Sequence, residues 1–149
     1  MARKKRPARH RPFESATSSG RFIKICHDMM QSPAWKALSR SARYLYIEFK
    51  AKYTAKYSSD QLISENARDL SFPASEAGML YGDLRTFRAD VDALINCGFI
   101  DLVESGQTTR TANIYGLSER WKQFGQPGYE VPHTVKRPTQ IKKTASRAE

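Results

Sequence analysis

Arg85, Thr86 and Arg88 lie together in the stretch DLRTFRADVDALINCGFIDLVESGQ, residues 83–107. A guanidinium is a planar fork of donors that matches the O6 and N7 acceptors of guanine, and a threonine hydroxyl serves a base edge or a phosphate. Phe87, Val91, Leu94 and Ile95 fall at helical spacing, and the two arginines stand off that apolar stripe. A helix of this kind buries one face and offers cationic donors from its first turns. The chemistry it suits is recognition of an anionic, hydrogen-bonding surface. The competing reading is a solvated face, with Arg88 paired to Asp92 one turn later for about 0.3 kcal/mol. Asp90 and Asp92 would repel phosphates unless they turn away or accept from a cytosine amino group.

The neighbouring elements must hold that helix in place. Asp83 is a natural N-cap and Gly98 a stop, after which residues 99–104 read as a strand. Gly106 sits in a polar loop before a second strand at residues 112–118, which makes a hairpin with Thr108, Thr109 and Arg110 at its tip. These three offer hydroxyls and one guanidinium for phosphate contact. Upstream, Pro73 opens a helix with Ala77 and Leu80 inward, and Gly82 suits the left-handed turn that ends it. Helix, tight glycine turn and helix make a helix-turn-helix. Ser32 and Pro33 begin an earlier helix, and Ser39 caps a longer one over residues 40–57. Its inward face carries Ala42, Leu45, Tyr46, Phe49 and Tyr53, and Tyr57 continues the stripe. SSDQLISENARD reads as a polar loop, and Ser118 caps a last short helix holding Trp121 and Phe124. The expected fold class is mainly α with a small β-hairpin (α+β), a winged helix-turn-helix.

Charge divides the chain differently from hydropathy. Arg3, Lys4, Lys5, Arg6, Arg9 and Arg11 crowd the first twelve residues without an acid, and Lys136, Arg137, Lys142, Lys143 and Arg147 oppose Glu149 at the other end. Residues 13–132 hold 14 basic and 14 acidic residues, so the ends carry the whole net charge of +10. The expected organisation is a basic disordered tail over 1–20, one domain over 21–125, and a second basic disordered tail over 126–149. Arg3, Lys4, Lys5, Arg6, Lys142 and Lys143 are the tail residues expected to hold phosphates, because basic tails on a neutral body attract a polyanion.

FIKICHDMMQSPAWKALSRSARYLYIEF resembles the entry segment of winged helix-turn-helix proteins of bacterial plasmids, phages and integrative elements. TFRADVDALINCGFIDLVESG is similar to that group's recognition helix and first wing strand, and LSERWKQFGQPGYE to its closing segment. The resemblance covers residues 21–130. It implies double-stranded DNA as partner, a role in replication initiation or regulation of the mobile element, and a cytoplasmic protein on nucleoid or plasmid. Asp90 and Asp92 stand where the group more usually has basic or neutral residues. The resemblance leaves open a protein partner from replication or regulation and a dimer on DNA.

Other chemistries find little support. No apolar run approaches the ~20 residues of a membrane span, and no apolar segment follows the basic N-terminus as in a secretory signal. Cys26 and Cys97 lack a paired spacing and read as small buried side chains in a reducing compartment. Cys26, His27, Asp28 and His133 do not complete a zinc pattern, and no nucleophile–base pair or phosphate-cradling glycine loop is visible. No cofactor, metal or enzymatic activity is expected. The alternative to DNA binding is a protein–protein interaction module whose basic tails dock it on nucleic acid or a partner. If the tails sit on phosphates, deleting residues 1–12 and 133–149 should flatten the log–log salt dependence of DNA binding, by about 0.9 per phosphate released. A truncated chain that keeps the full slope in a fluorescence-anisotropy titration would place the tails off the DNA.

Overall fold

The computed structural model describes residues 22–131, and these form a mixed α+β body with two small antiparallel sheets. Residues 22–26 belong to no regular element, with Phe22 and Ile23 exposed. The first helical segment is two short helices, α1 (His27–Gln31) and α2 (Pro33–Ala37). Ser32 makes the break: its hydroxyl donates to the Met29 carbonyl at 2.6 Å, ending α1, and accepts from the Trp35 amide at 3.2 Å, starting α2. Pro33 follows at the first helical position, where its missing N–H costs nothing.

Helix α3 (Arg40–Lys52) starts where expected, with the Ser39 hydroxyl accepting from the Ala42 amide at 3.1 Å. It ends five residues before the expected Tyr57, and the cause is tertiary. The Asn66 side chain donates to the Lys52 carbonyl at 2.9 Å and accepts from the Thr54 amide at 2.7 Å. One side chain thus satisfies backbone groups at the end of the helix and turns the chain outward. Ala42, Leu45, Tyr46 and Phe49 are buried as the period requires, whereas Tyr53 is half-buried and Tyr57 is 64% exposed. The core stripe therefore stops at Phe49.

The polar loop expected next is instead a β-hairpin, β1 (Ala55–Ser58) and β2 (Gln61–Glu65). Ser59 and Asp60 both take positive φ, 48° and 64°, the conformation of a two-residue type I′ loop. Without glycine or asparagine at those positions, and without an alternating apolar face, the hairpin leaves no ordinary trace in the sequence. The α+β class stands, with more β structure than the single hairpin expected.

Strand β3 (Leu70–Ser71) leads to α4 (Ala74–Tyr81), which ends on Gly82 at φ 69°. The Asp83 carboxylate then accepts from the Arg85 amide at 2.9 Å and caps α5 (Leu84–Asn96). Gly98, at φ 82°, turns the chain into β4 (Ile100–Glu104), and β5 (Ile114–Leu117) returns between β3 and β4 in an antiparallel sheet. Ser118 accepts from the Arg120 amide at the start of a 3₁₀ turn, Arg120–Gln123.

The core lies between α3, α5 and the three-stranded sheet. Phe99 is its hub, tilted against Tyr46 with centroids 5.1 Å apart, edge-on to Trp35 at 5.7 Å and stacked on Trp121 at 6.0 Å. Phe49 meets Phe72 and Tyr115 at 5.0 and 5.4 Å, carrying the aromatic packing to the sheet. The body continues past residue 125, where the tail was expected to begin. The Tyr129 hydroxyl donates to the Asn96 carbonyl at 2.7 Å and its ring meets Phe124. Cys97 is buried as expected, but Cys26 is exposed. Among the described residues no helix is long and apolar enough to cross a membrane.

Phe87, Val91 and Leu94 are all buried on the inner face of α5. Val91→Asp should abolish the cooperative melt, because an unpaired buried carboxylate costs several kcal/mol against a total stability of ~5–15 kcal/mol. Circular dichroism on heating measures this directly; an unchanged melting curve would mean the face is not core.

Candidate nucleic-acid interface

Helix α5 has two faces, and the residues of its first turns alternate sharply between them. Arg85, Thr86, Arg88 and Ala89 are exposed, while Phe87, Asp90 and Val91 are buried. Phe87 sits between the rings of Phe72 and Tyr81, each 5.7 Å away, so the helix cannot rotate without breaking that packing. The three candidate readers therefore point away from the core. Arg85 is 92% exposed and lies 3.9 Å from the Asp83 cap, a separation and exposure at which an ion pair holds little.

Asp90 is withdrawn from this surface. Its two carboxyl oxygens accept from the Ser39 hydroxyl at 3.1 Å and the Tyr81 hydroxyl at 2.8 Å. Ser39 is also the N-cap of α3, and Tyr81 is the last residue of α4. One buried carboxyl thus ties three helices together. Burial, with the hydrogen bond to Asp90 second, pushes the Tyr81 phenol well above its ordinary value, so it stays a donor at any physiological pH. This acidic residue is a structural ligand to its own fold and does not face phosphate. Asp92 remains on the groove side.

The hairpin β4–β5 faces α5 across a groove of about 440 Å³. Arg88 and Asp92 line one wall, and Ser105, Gln107, Thr111 and Asn113 line the other, over a floor that includes Leu84, Val91 and Tyr115. The structure brings Arg88, but not Arg85, to the hairpin side. At the tip, the Thr111 amide donates to the Gly106 carbonyl at 3.1 Å, and the Gly106 amide donates to the Asn113 side chain at 2.9 Å. Gly106 is required there because a Cβ would come within 2.0 Å of the Thr111 carbonyl. Thr109 and Thr111 share a hydrogen bond at 2.7 Å, so part of their capacity is used inside the loop. Thr108 and Arg110 are exposed, Arg110 with φ 56°.

Arg120 is a residue that sequence reasoning missed. Its guanidinium gives Nε and Nη2 to one Asp101 oxygen at 2.9 and 2.6 Å, and Nη2 also reaches the Ile95 and Ile100 carbonyls at 3.1 and 3.3 Å. It thereby satisfies the C-terminal end of α5 and clamps it to β4. In the sequence Arg120 is one more base in a capped turn, and Asp101 lies 19 residues away. Arg3, Lys4, Lys5, Arg6, Lys142 and Lys143 lie outside the described residues, as does His133. Among the described residues no group of histidine, cysteine, aspartate or glutamate could hold a metal ion. The chain matches no family model, no curated protein and no solved structure.

Asp90→Ala should lower the unfolding free energy by about 1–3 kcal/mol, the loss of the two hydrogen bonds its carboxyl accepts from Ser39 and Tyr81. The expected urea curve shifts its midpoint at unchanged slope. A midpoint equal to the parent's would show that Ser39 and Tyr81 lose nothing with the carboxyl.

Proposed function

We propose that this chain is a winged helix-turn-helix protein that binds duplex DNA, with α5 in the major groove and the β4–β5 hairpin as the wing. The observation that carries the reading is the division of α5: Arg85, Thr86 and Arg88 exposed in its first turns, and Phe87, Asp90 and Val91 buried behind them. Apart from the β1–β2 hairpin inserted after α3, the order of helix α3, strand β3, helices α4 and α5, then strands β4 and β5 with β5 central in the sheet supports that class. Arg85 and Thr86 would meet base edges, where recognition helices make their N-terminal contacts. Arg88, one turn on and at the groove wall, would reach a base edge as well, while Arg110 and Thr108 from the hairpin would hold the backbone. The basic tails would add sequence-independent attraction. The resemblance to proteins of bacterial mobile elements makes replication initiation or regulation of such an element the role to test first.

One observation favours the interaction module instead. Residues 13–132 hold equal numbers of acids and bases, so the body does not by itself present a strongly basic surface. Selection of bound fragments from the source genome separates the two readings, since only a DNA reader enriches a motif. On the enriched site Arg85→Ala and Arg88→Ala should each weaken binding by ~1–3 kcal/mol, and much less on random duplex. Equal small losses on both substrates would reject base reading by α5 and favour the module.

A further inference from the structure

The aromatic–lysine run RYLYIEFKAKYTAKY, residues 43–57, is only partly used by the core. Its helical period buries Tyr46 and Phe49, but Tyr53 and Tyr57 leave the core when α3 ends at Lys52. Tyr53 lines a cleft of about 370 Å³ between α1, α3, the base of the β1–β2 hairpin and the 3₁₀ turn. This cleft shares no lining residue with the groove beside α5. Its aromatic walls include Tyr53 and Trp121, and its charges are Lys24, Lys50 and Lys122 against Glu65 and Glu119.

Both carboxylates are already engaged. Glu65 accepts from the Tyr53 hydroxyl at 2.8 Å, and Glu119 accepts from Lys122 at 2.8 Å. Lys24 and Lys50 form no ion pair among the described residues. The rings are held from behind: Trp121 is stacked on Phe99 within 6° of parallel, and the Glu65 bond fixes Tyr53. Lys50 and Lys122 sit 6.0 and 5.7 Å from the Tyr53 and Trp121 ring centres. Tyr57, four residues after Tyr53 and 64% exposed on β1, extends the aromatic surface from the cleft onto the hairpin.

We propose that this cleft is a second nucleic-acid site, for a single strand. Fixed rings beside ammonium groups offer what an unpaired chain presents: base faces to stack and a phosphate within reach. Duplex DNA hides its base faces in the stack, so the site selects unpaired bases. An acidic peptide would satisfy the lysines but leave the rings without a partner. The site stands apart from α5, and its test is independent of the duplex reading.

The full chain is titrated with fluorescent oligo(dT) and oligo(U) of about 12 nucleotides, at ~0.2 M salt to screen the basic tails. Tyr57→Ala with Lys50→Ala should weaken binding about five- to hundredfold and leave duplex affinity in place. Arg85→Ala should leave single-strand affinity unchanged. Photocrosslinking with 5-iodouracil oligomers should put adducts on Tyr53, Tyr57 or Trp121, and comparison of oligo(dU) with oligo(U), which differ only at the 2′-hydroxyl, assigns the sugar. Tyr57 is exposed and Lys50 makes no ion pair among the described residues, so the variant keeps its fold, which thermal melting verifies. The proposal is overturned by adducts confined to residues 1–21 or 132–149, by unchanged affinity in the double variant, or by polyglutamate competing as well as oligo(dT).

Discussion

The Asp90 carboxyl sets the arrangement on which the rest of the body depends. It is the one buried charged-type side chain among the described residues, and it joins the start of α3, the end of α4 and the middle of α5. A helix packed only by an apolar stripe can adjust its rotation by small repacking, whereas a carboxyl with two directional partners admits little. Asp90 therefore fixes which side of α5 meets solvent. Because Phe87 and Val91 flank it on the inner face, Arg85, Thr86 and Arg88 are left on the outer one. The Ser39 hydroxyl serves two purposes here, capping α3 and donating to Asp90, so α3 and α5 are positioned by the same atom.

The other end of α5 is held by a different device. Gly98 turns the chain at a φ that other residues resist, and a Cβ there would come within 2.5 Å of the Trp121 amide nitrogen. Arg120 then binds the last carbonyls of α5 and Asp101 of β4. Helix and hairpin consequently share one groove with fixed walls, polar at its rim and apolar at its floor. Rigid elements of this kind place side chains more reproducibly than loops. The loop at the hairpin tip is itself tied by Gly106 and Asn113, with Thr108 and Arg110 exposed.

The two hairpins contrast in how they are supported. The β4–β5 hairpin belongs to a three-stranded sheet with Tyr115 in the core. The β1–β2 hairpin is a two-stranded sheet with its residues largely exposed, including Tyr57, Leu62 and Ile63. A ribbon of that size is marginal alone. Here Asn66 and the Tyr53–Glu65 bond anchor its base to the end of α3, which keeps an exposed aromatic surface beside the lysine-lined cleft.

Much of this was readable from local patterns. The caps at Ser32, Ser39 and Asp83, the left-handed Gly82 and Gly98, and the buried stripe of α5 depend on residues within a turn or two of one another, where short-range hydrogen bonding and helical period act directly. Those rules also set Arg85 and Arg88 off the apolar stripe. They could not say that α3 stops at Lys52, because the side chain responsible lies 14 residues later at Asn66. Nor could they show the β1–β2 hairpin, whose turn uses serine and aspartate in a conformation more usual for glycine or asparagine. Asp90 is the clearest case. In the sequence it is an acid beside two arginines, indistinguishable from Asp92, and only the approach of Ser39 from 51 residues away makes it a buried ligand. Local chemistry determined the helix starts and the buried face of α5; tertiary contacts over long separations decided where one helix ended, which acid left the surface, and which aromatics stayed out of the core.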